Sequence, residues 1–187
     1  VLALAIGIEA GLLSLTLGAN GPTDHPGASR DIAAACGTRE GWSDPAPPAH
    51  IYGNTWYVGT CGITVVLIES SKGLVLLDSG PEDAAPRVLA NIRALGFDPK
   101  RIKWILNTHE HFDHSGGIEA LRKATGAKVI GGADGGEALR SGQPYADDPQ
   151  FALLKDLPTH RTRVEIGLSD KAKLTIGDVT ITAHSTP

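Results

Sequence analysis

At 187 residues, with 41% hydrophobic and 20% charged side chains, the chain has the composition of one globular domain rather than of a disordered segment. Its formal net charge of −4 excludes broad binding to a nucleic-acid backbone, which needs a concentrated basic face. The 23 glycines and 12 prolines announce many loops.

Residues 1–19 are apolar apart from Glu9 and a few Ser, Thr and Gly. They read as the apolar region of a secretory signal, with Leu17-Gly18-Ala19 as a small-residue cleavage site. A start Met and a basic leader are missing, as expected if the sequence begins inside its own signal peptide. A membrane anchor is the rival reading, because the stretch approaches a bilayer-spanning length. Glu9 opposes it, since a carboxylate near the middle costs roughly 2–3 kcal/mol on insertion scales. Export to the periplasm, with no stable membrane association after cleavage, is the expectation. Cys36 and Cys61 suit that compartment as a disulfide candidate, and a bond would stabilise the fold by roughly 3–4 kcal/mol in the chain-entropy view. Two separate thiols are the alternative. No C-x-x-C spacing is present, which argues against a cysteine zinc site.

Residues 20–49 are rich in Gly, Pro, Asp and Ala without a sustained period, and read as an N-terminal arm. The domain proper then spans 50–187, with order setting in near Ile51. Residues 54–58 and 63–69 carry enough β-branched and aromatic side chains for strands. Ser70-Ser71-Lys72-Gly73 is a hairpin turn, 74–77 returns as a third strand, and Asp78-Ser79-Gly80-Pro81 ends it. Asp83 is placed to cap a helix over 84–95, with Val88, Leu89, Ile92 and Leu95 as its apolar stripe and Gly96 as its stop. A strand over 102–108 follows, then a helix capped by Ser115 and ended by Gly126, then a strand over 127–130. Helices are expected near 134–140 and 150–156. Strands are expected at 164–166, 174–176 and 179–183, the last two joined by Gly177-Asp178. The run Gly131-Gly132-Ala133-Asp134-Gly135-Gly136 lacks the order of a phosphate-binding loop and reads as a flexible loop. Strands followed by strand–helix alternation make a mixed α/β layered domain.

The chemistry concentrates in His109-Glu110-His111-Phe112-Asp113-His114, directly after the apolar run 102–106. Imidazole and carboxylate together suit zinc. On an extended loop, residues two apart point the same way, so His109 and His111 can serve one metal. Asp113 and His114 diverge and can reach a second. Two zinc ions roughly 3.5–4 Å apart can share a water and lower its pKa to about 7, giving a nucleophile without Ser or Cys. Asp113 is also the candidate catalytic carboxylate, orienting that hydroxide. Glu110 and Phe112 are expected to face away, as a solvent-side acid and a packing residue. Gly116 and Gly117 let the next helix pack closely behind the motif. Asp78 ends the neighbouring strand and can accept a hydrogen bond from a ligand histidine, fixing its tautomer. Its bland alternative is a turn residue. For the motif, that alternative is a solvated histidine-rich loop, which this spacing after a strand disfavours.

H-x-H-x-D-H after a strand resembles the signature of the metallo-β-lactamase superfamily, which includes lactonases, glyoxalases of the second type, nucleases and sulfatases. Asn54-Thr55-Trp56-Tyr57-Val58-Gly59-Thr60, Leu74-Val75-Leu76-Leu77-Asp78-Ser79-Gly80, Ile105-Leu106-Asn107-Thr108-His109 and Gly177-Asp178-Val179-Thr180-Ile181-Thr182-Ala183-His184 are similar to class B β-lactamases of the third subclass. The resemblance implies a four-layer αββα sandwich with the site at its sheet edge. It implies zinc-dependent hydrolysis of penicillins, cephalosporins and carbapenems, hence antibiotic resistance, by a monomer whose partner is a small-molecule β-lactam. His109 and His111 map to ligands of the first zinc, and Asp113 and His114 to ligands of the second. The third histidine for the first zinc follows a Thr-Pro-Gly segment in the family, whereas this chain ends at Thr186-Pro187. The sandwich is therefore expected to lack its C-terminal part here, with each metal one histidine short, and the fragment to be inactive by itself. Of the other histidines, His25 and His50 are expected bystanders and His160 has no recognised counterpart. His184 matches a position preceding the ligand and is expected to support the metal loop. A lactonase or thioesterase of the same fold, or an inactive remnant, is the alternative to the lactamase.

Overall fold

The computed structural model describes residues 32–156 and 160–186. The apolar stretch 1–19 and His25 lie outside the described residues. Among the described residues, no helix is long and apolar enough to cross a membrane.

Seven strands lie side by side in chain order. β1 (Ala49–Tyr52), β2 (Thr55–Tyr57), β3 (Val66–Ser70) and β4 (Gly73–Leu77) pair antiparallel. β5 (Ile102–Leu106), β6 (Lys128–Gly132) and β7 (Ile166–Leu168) continue from β4 in parallel. The change follows from the connections: two-residue turns (β1–β2, β3–β4) and the loop 58–65 permit antiparallel return, whereas parallel return needs a crossover. Those crossovers contain α2 (Ala85–Ala94), then α3 (Phe112–Ser115) and α4 (Ile118–Thr125), then α5 (Ala133–Ser141) and α6 (Phe151–Leu154), in a chain that opens with α1 (Ile32–Cys36).

Strand alternation sorts the side chains into two cores. Leu67, Leu74, Leu76, Ile105 and Val129 face the helices and pack with Val88, Ile92, Ile118, Leu121 and Leu139. Val75, Leu106 and Ile130 face the other way and meet Ile176 of a hairpin formed by β8 (Lys173–Ile176) and β9 (Val179–Thr182). A helix layer, a mixed sheet and a second small sheet thus stack in that order, the α/β layering expected. The hairpin is tied down at its turn. Asp178 Oδ1 accepts from the Ser71 N–H at 2.8 Å, joining the β8–β9 turn to the β3–β4 turn. Gly177, at φ 62°, leaves no room for a Cβ, which would lie 2.5 Å from Ser71 Oγ.

Several expectations need correction. Residue 63 precedes β3, because Thr60 and Ile63 close a tight turn (Thr60 N–H to Ile63 O, 3.0 Å). Asp83 does not cap α2; it accepts from Ser43 Oγ at 2.5 Å, and the helix opens instead on a proline in its first turn, Pro86. Ser115 caps nothing. Its hydroxyl donates to Glu110 O at 2.7 Å, and α4 starts after Gly117. The Gly131–Gly136 run is not a loop: it ends β6 and begins α5, and a Cβ on Gly131 would come within 3.1 Å of Gly136 Cα. Strand β7 lies two residues later than expected. The arm also holds more structure than its composition suggested. Cys36 in α1 is disulfide-bonded to Cys61, the Cα atoms 5.6 Å apart, and Asn91 of α2 donates to Ala46 O at 3.2 Å.

On α4, Glu119 receives a two-pronged contact from Arg122 (2.8 and 2.9 Å) and a hydrogen bond from Thr162 Oγ1 at 3.0 Å. The Arg122 guanidinium is the main reason its carboxyl is held down to about 2. A depressed carboxylate stabilises the fold above its unfolded value and loses that contribution as pH falls through its folded value. Glu119→Gln should therefore cost roughly 1–2 kcal/mol at neutral pH, allowing for solvent screening. In denaturant titrations the difference from the parent should be full above about pH 4.5 and vanish toward pH 2.

Candidate metal site

Leu77 pairs with Leu106, so Asp78 and Asn107 leave parallel β4 and β5 side by side. The carboxyl ends of parallel strands are where α/β sheets place their ligands. Asp78 turns there with φ 62°, a left-handed conformation that costs most residues about 1–2 kcal/mol but that Asp tolerates through local hydrogen bonds. Its carboxylate, almost fully buried, collects four donors. Oδ1 accepts from Asn107 Nδ2 (3.1 Å) and the Thr108 N–H (2.8 Å); Oδ2 accepts from Thr108 Oγ1 (2.8 Å) and His114 Nδ1 (3.0 Å).

This network assigns protons. A carboxylate only accepts, so His114 carries its hydrogen on Nδ1 and turns Nε2 toward the motif. Thr108 gives its single hydroxyl hydrogen to Asp78, so at 3.0 Å from His109 Nδ1 its oxygen can only accept. His109 is then protonated on Nδ1 as well, with Nε2 free. In both rings the outer partner leaves Nε2 as the nitrogen open to a metal.

The motif is not an extended loop throughout. His111 precedes α3, and Asp113 and His114 sit within that short helix. The helical turn folds the four residues back on themselves. The His109 ring lies 4.7 Å from the His111 ring and 4.3 Å from the His114 ring, centroid to centroid. Asp113 Oδ2 is 3.5 Å from His114 Nε2. Burial, helped by the nearby His114 and His111, lowers the His109 pKa. The hydrogen bond to Asp78 raises that of His114. His111 turns the other way, its Nε2 at 2.7 Å from Asp148 Oδ2. Burial would raise the Asp148 pKa, but hydrogen bonds from His111 and the Gln150 N–H outweigh it and hold the carboxyl below its ordinary value.

Ser79 fixes α3 behind the cluster, its N–H (3.0 Å) and Oγ (2.7 Å) both donating to His114 O. Gly116 and Gly117 pack as closely as expected: a Cβ on Gly116 would lie 2.6 Å from Phe112 O and 2.9 Å from Glu82 N. Phe112 faces away and stacks edge-on against Trp42 at 5.1 Å.

The structure thus brings His109, His111, Asp113, His114 and Asp78 together. His184 stands apart, exposed beyond β9. His160 pairs with Glu82 at 3.1 Å, and His50 contacts Gly53 O at 2.8 Å. Asn107, Thr108, Ser79 and Asp148 are the residues sequence reasoning missed. Among the described residues, no three His, Cys, Asp or Glu side chains are poised to hold an ion as they stand. The donor chemistry nevertheless fits zinc: three contiguous imidazoles, two with assigned free nitrogens, beside a carboxylate.

Two substitutions probe this scaffold. Asp78→Ala strands the buried Asn107 amide and two Thr108 donors, and should cost about 2–4 kcal/mol in denaturant unfolding. It should also release the His109 and His114 tautomers, seen by nitrogen NMR. Gly116→Ala should cost about 1–3 kcal/mol by overpacking, measured the same way.

Residues 58–187 match the family model described as the metallo-beta-lactamase superfamily. The chain is similar to the metallo-beta-lactamase MIM-1 from Novosphingobium pentaromativorans, at 53% identity and a TM-score of 0.79 over 83% of this chain and 57% of that one. It is also similar to BJP-1, a subclass B3 enzyme of Bradyrhizobium japonicum, at 36% identity and a TM-score of 0.69 over 78% of this chain and 54% of that one. A hydroxyacylglutathione hydrolase of Anaeromyxobacter dehalogenans is 31% identical over 65% of this chain and 36% of its own length. The chain therefore spans little more than half of these solved structures. The family match takes in β3 to β9, the helices between them and the strand ends that carry the histidines, and by it the chain belongs to the metallo-beta-lactamase superfamily.

Proposed function

We propose that the protein carrying this chain is an exported, zinc-dependent hydrolase that opens the amide bond of β-lactams: penicillins, cephalosporins and carbapenems. The observation that carries this reading is the 53% identity to a metallo-beta-lactamase over 83% of this chain. The disulfide between Cys36 and Cys61 supports an oxidising compartment such as the periplasm.

His109, His111, Asp113 and His114 would hold the metal, two residues toward each of two ions. Bound zinc supplies a Lewis acid and a water acidified to near neutrality. The protein's own contribution is positioning. Asp78 orients His114 directly and His109 through Thr108, keeping their Nε2 lone pairs available. Asp113, partly open to solvent beside His114, is the carboxylate placed to take or orient a proton at the reacting water. The Ser79 and Gly116 contacts keep this geometry rigid against the sheet.

A second reading changes the substrate and keeps the site. The 31% identity to a hydroxyacylglutathione hydrolase favours a thioester. The lactam reading is preferred because 53% identity to a lactamase extends over 83% of the chain, whereas the hydroxyacylglutathione hydrolase is 31% identical over 65% of it.

Turnover of a chromogenic cephalosporin by the gene product should disappear with a zinc chelator and return with added zinc. Asp113→Ala should lose more than the roughly 10–100-fold that outer partners cost. Hydrolysis undiminished by chelation would refute the zinc mechanism. A thioester cleaved faster than any β-lactam, assayed side by side, would favour the second reading.

A further inference from the structure

We propose that Asp148 is a positioning residue for the histidine motif, keeping the His111 proton on Nε2 and coupling the connection between α5 and α6 to metal loading. This rests on the cluster being a metal site, as proposed above.

Asp78, at the end of β4, reaches two of the three rings. His111 is beyond it, and its partner comes from 37 residues further along the chain. At 2.7 Å, with both side chains largely buried, the Asp148–His111 contact is a specific hydrogen bond rather than a surface encounter. The carboxylate can only accept, so the shared hydrogen belongs to Nε2, and Nδ1 is the nitrogen His111 offers to the cluster. Asp148 is itself held. Its other oxygen accepts from the Gln150 N–H at 2.6 Å, its N–H donates to Tyr145 O at 3.1 Å, and its carbonyl accepts from the Phe151 N–H at 2.9 Å. A turn leading into α6 therefore aims the carboxylate at the motif.

The second part follows by linkage. Residues 142–150 form a connection without helix or strand, and the Asp148–His111 bond joins it to the cluster. If ring orientation favours metal binding, metal binding must favour the ordered connection by the same factor. Outer partners of ligand histidines typically change metal affinity 10–100-fold.

The test compares the gene product with its Asp148→Ala and Asp148→Glu variants. Nitrogen NMR of the metal-free protein at about pH 8, where a free imidazole is neutral, reads the His111 tautomer. Amide exchange over 142–150 reads the connection, and competition with a chromophoric chelator reads zinc affinity. The parent should show His111 protonated on Nε2. Asp148→Ala should mix the tautomers, speed exchange across 142–150 and weaken zinc roughly 10–100-fold, and Asp148→Glu should recover part of each. An unchanged tautomer in Asp148→Ala overturns the positioning role, whatever zinc does. A shifted tautomer with unchanged zinc affinity overturns the coupling. A parent that binds no zinc overturns the function proposed above and the coupling with it, while the tautomer still decides whether Asp148 positions His111.

Discussion

The buried carboxylate of Asp78 is the constraint on which the site depends. It ends a strand in a left-handed turn, an unfavourable conformation for a side chain with a Cβ. Four hydrogen bonds hold it there, and each comes from a group that the motif needs in a fixed place. The same bonds that offset the backbone strain orient His114 and, through Thr108, His109. Turn, strand pairing and ring tautomers are therefore one structure rather than three.

That turn is possible because of what lies behind it. β4 is buried almost throughout and the C-terminal half of β5, Ile105 and Leu106, is buried on both faces, as their apolar side chains require. One face is sealed by α2, α4 and α5, and the other meets the β8–β9 hairpin. The Asp178–Ser71 bond and Gly177 set where the hairpin turn sits on the sheet. With both faces occupied, the strand ends cannot shift, and polar residues can be placed on them with little tolerance.

Much of this was legible in the sequence, for identifiable reasons. Period-two and period-3.6 patterns located the strands and the longer helices, because burial imposes those periods directly. The histidine motif and Asp78 could be singled out because their chemistry is concentrated in a few adjacent residues. Helix starts were less legible. Asp83 and Ser115 have capping side chains, but Ser43 and the Glu110 carbonyl claim them through contacts that spacing does not reveal. The glycine run failed differently: glycine reads as loop by its freedom, yet Gly131 and Gly136 are small so that β6 and α5 can touch. Asp148 carried no local signal at all, since its partner is distant in the chain.

The three histidines are consequently held to different degrees. His114 and His109 are fixed from the end of a core strand, by a residue that cannot move without disturbing the sheet. His111 is fixed from a connection that lies outside helix and strand, held by the turn that leads into α6. Free energies of local opening are lowest where backbone bonds and apolar contacts are fewest. Any loosening of the cluster should begin at His111, on the side facing that connection, while the pair organised by Asp78 stays in place. The site thus combines a rigid half built into the sheet with an adjustable half built onto a loop, an arrangement that follows from where their two carboxylates sit.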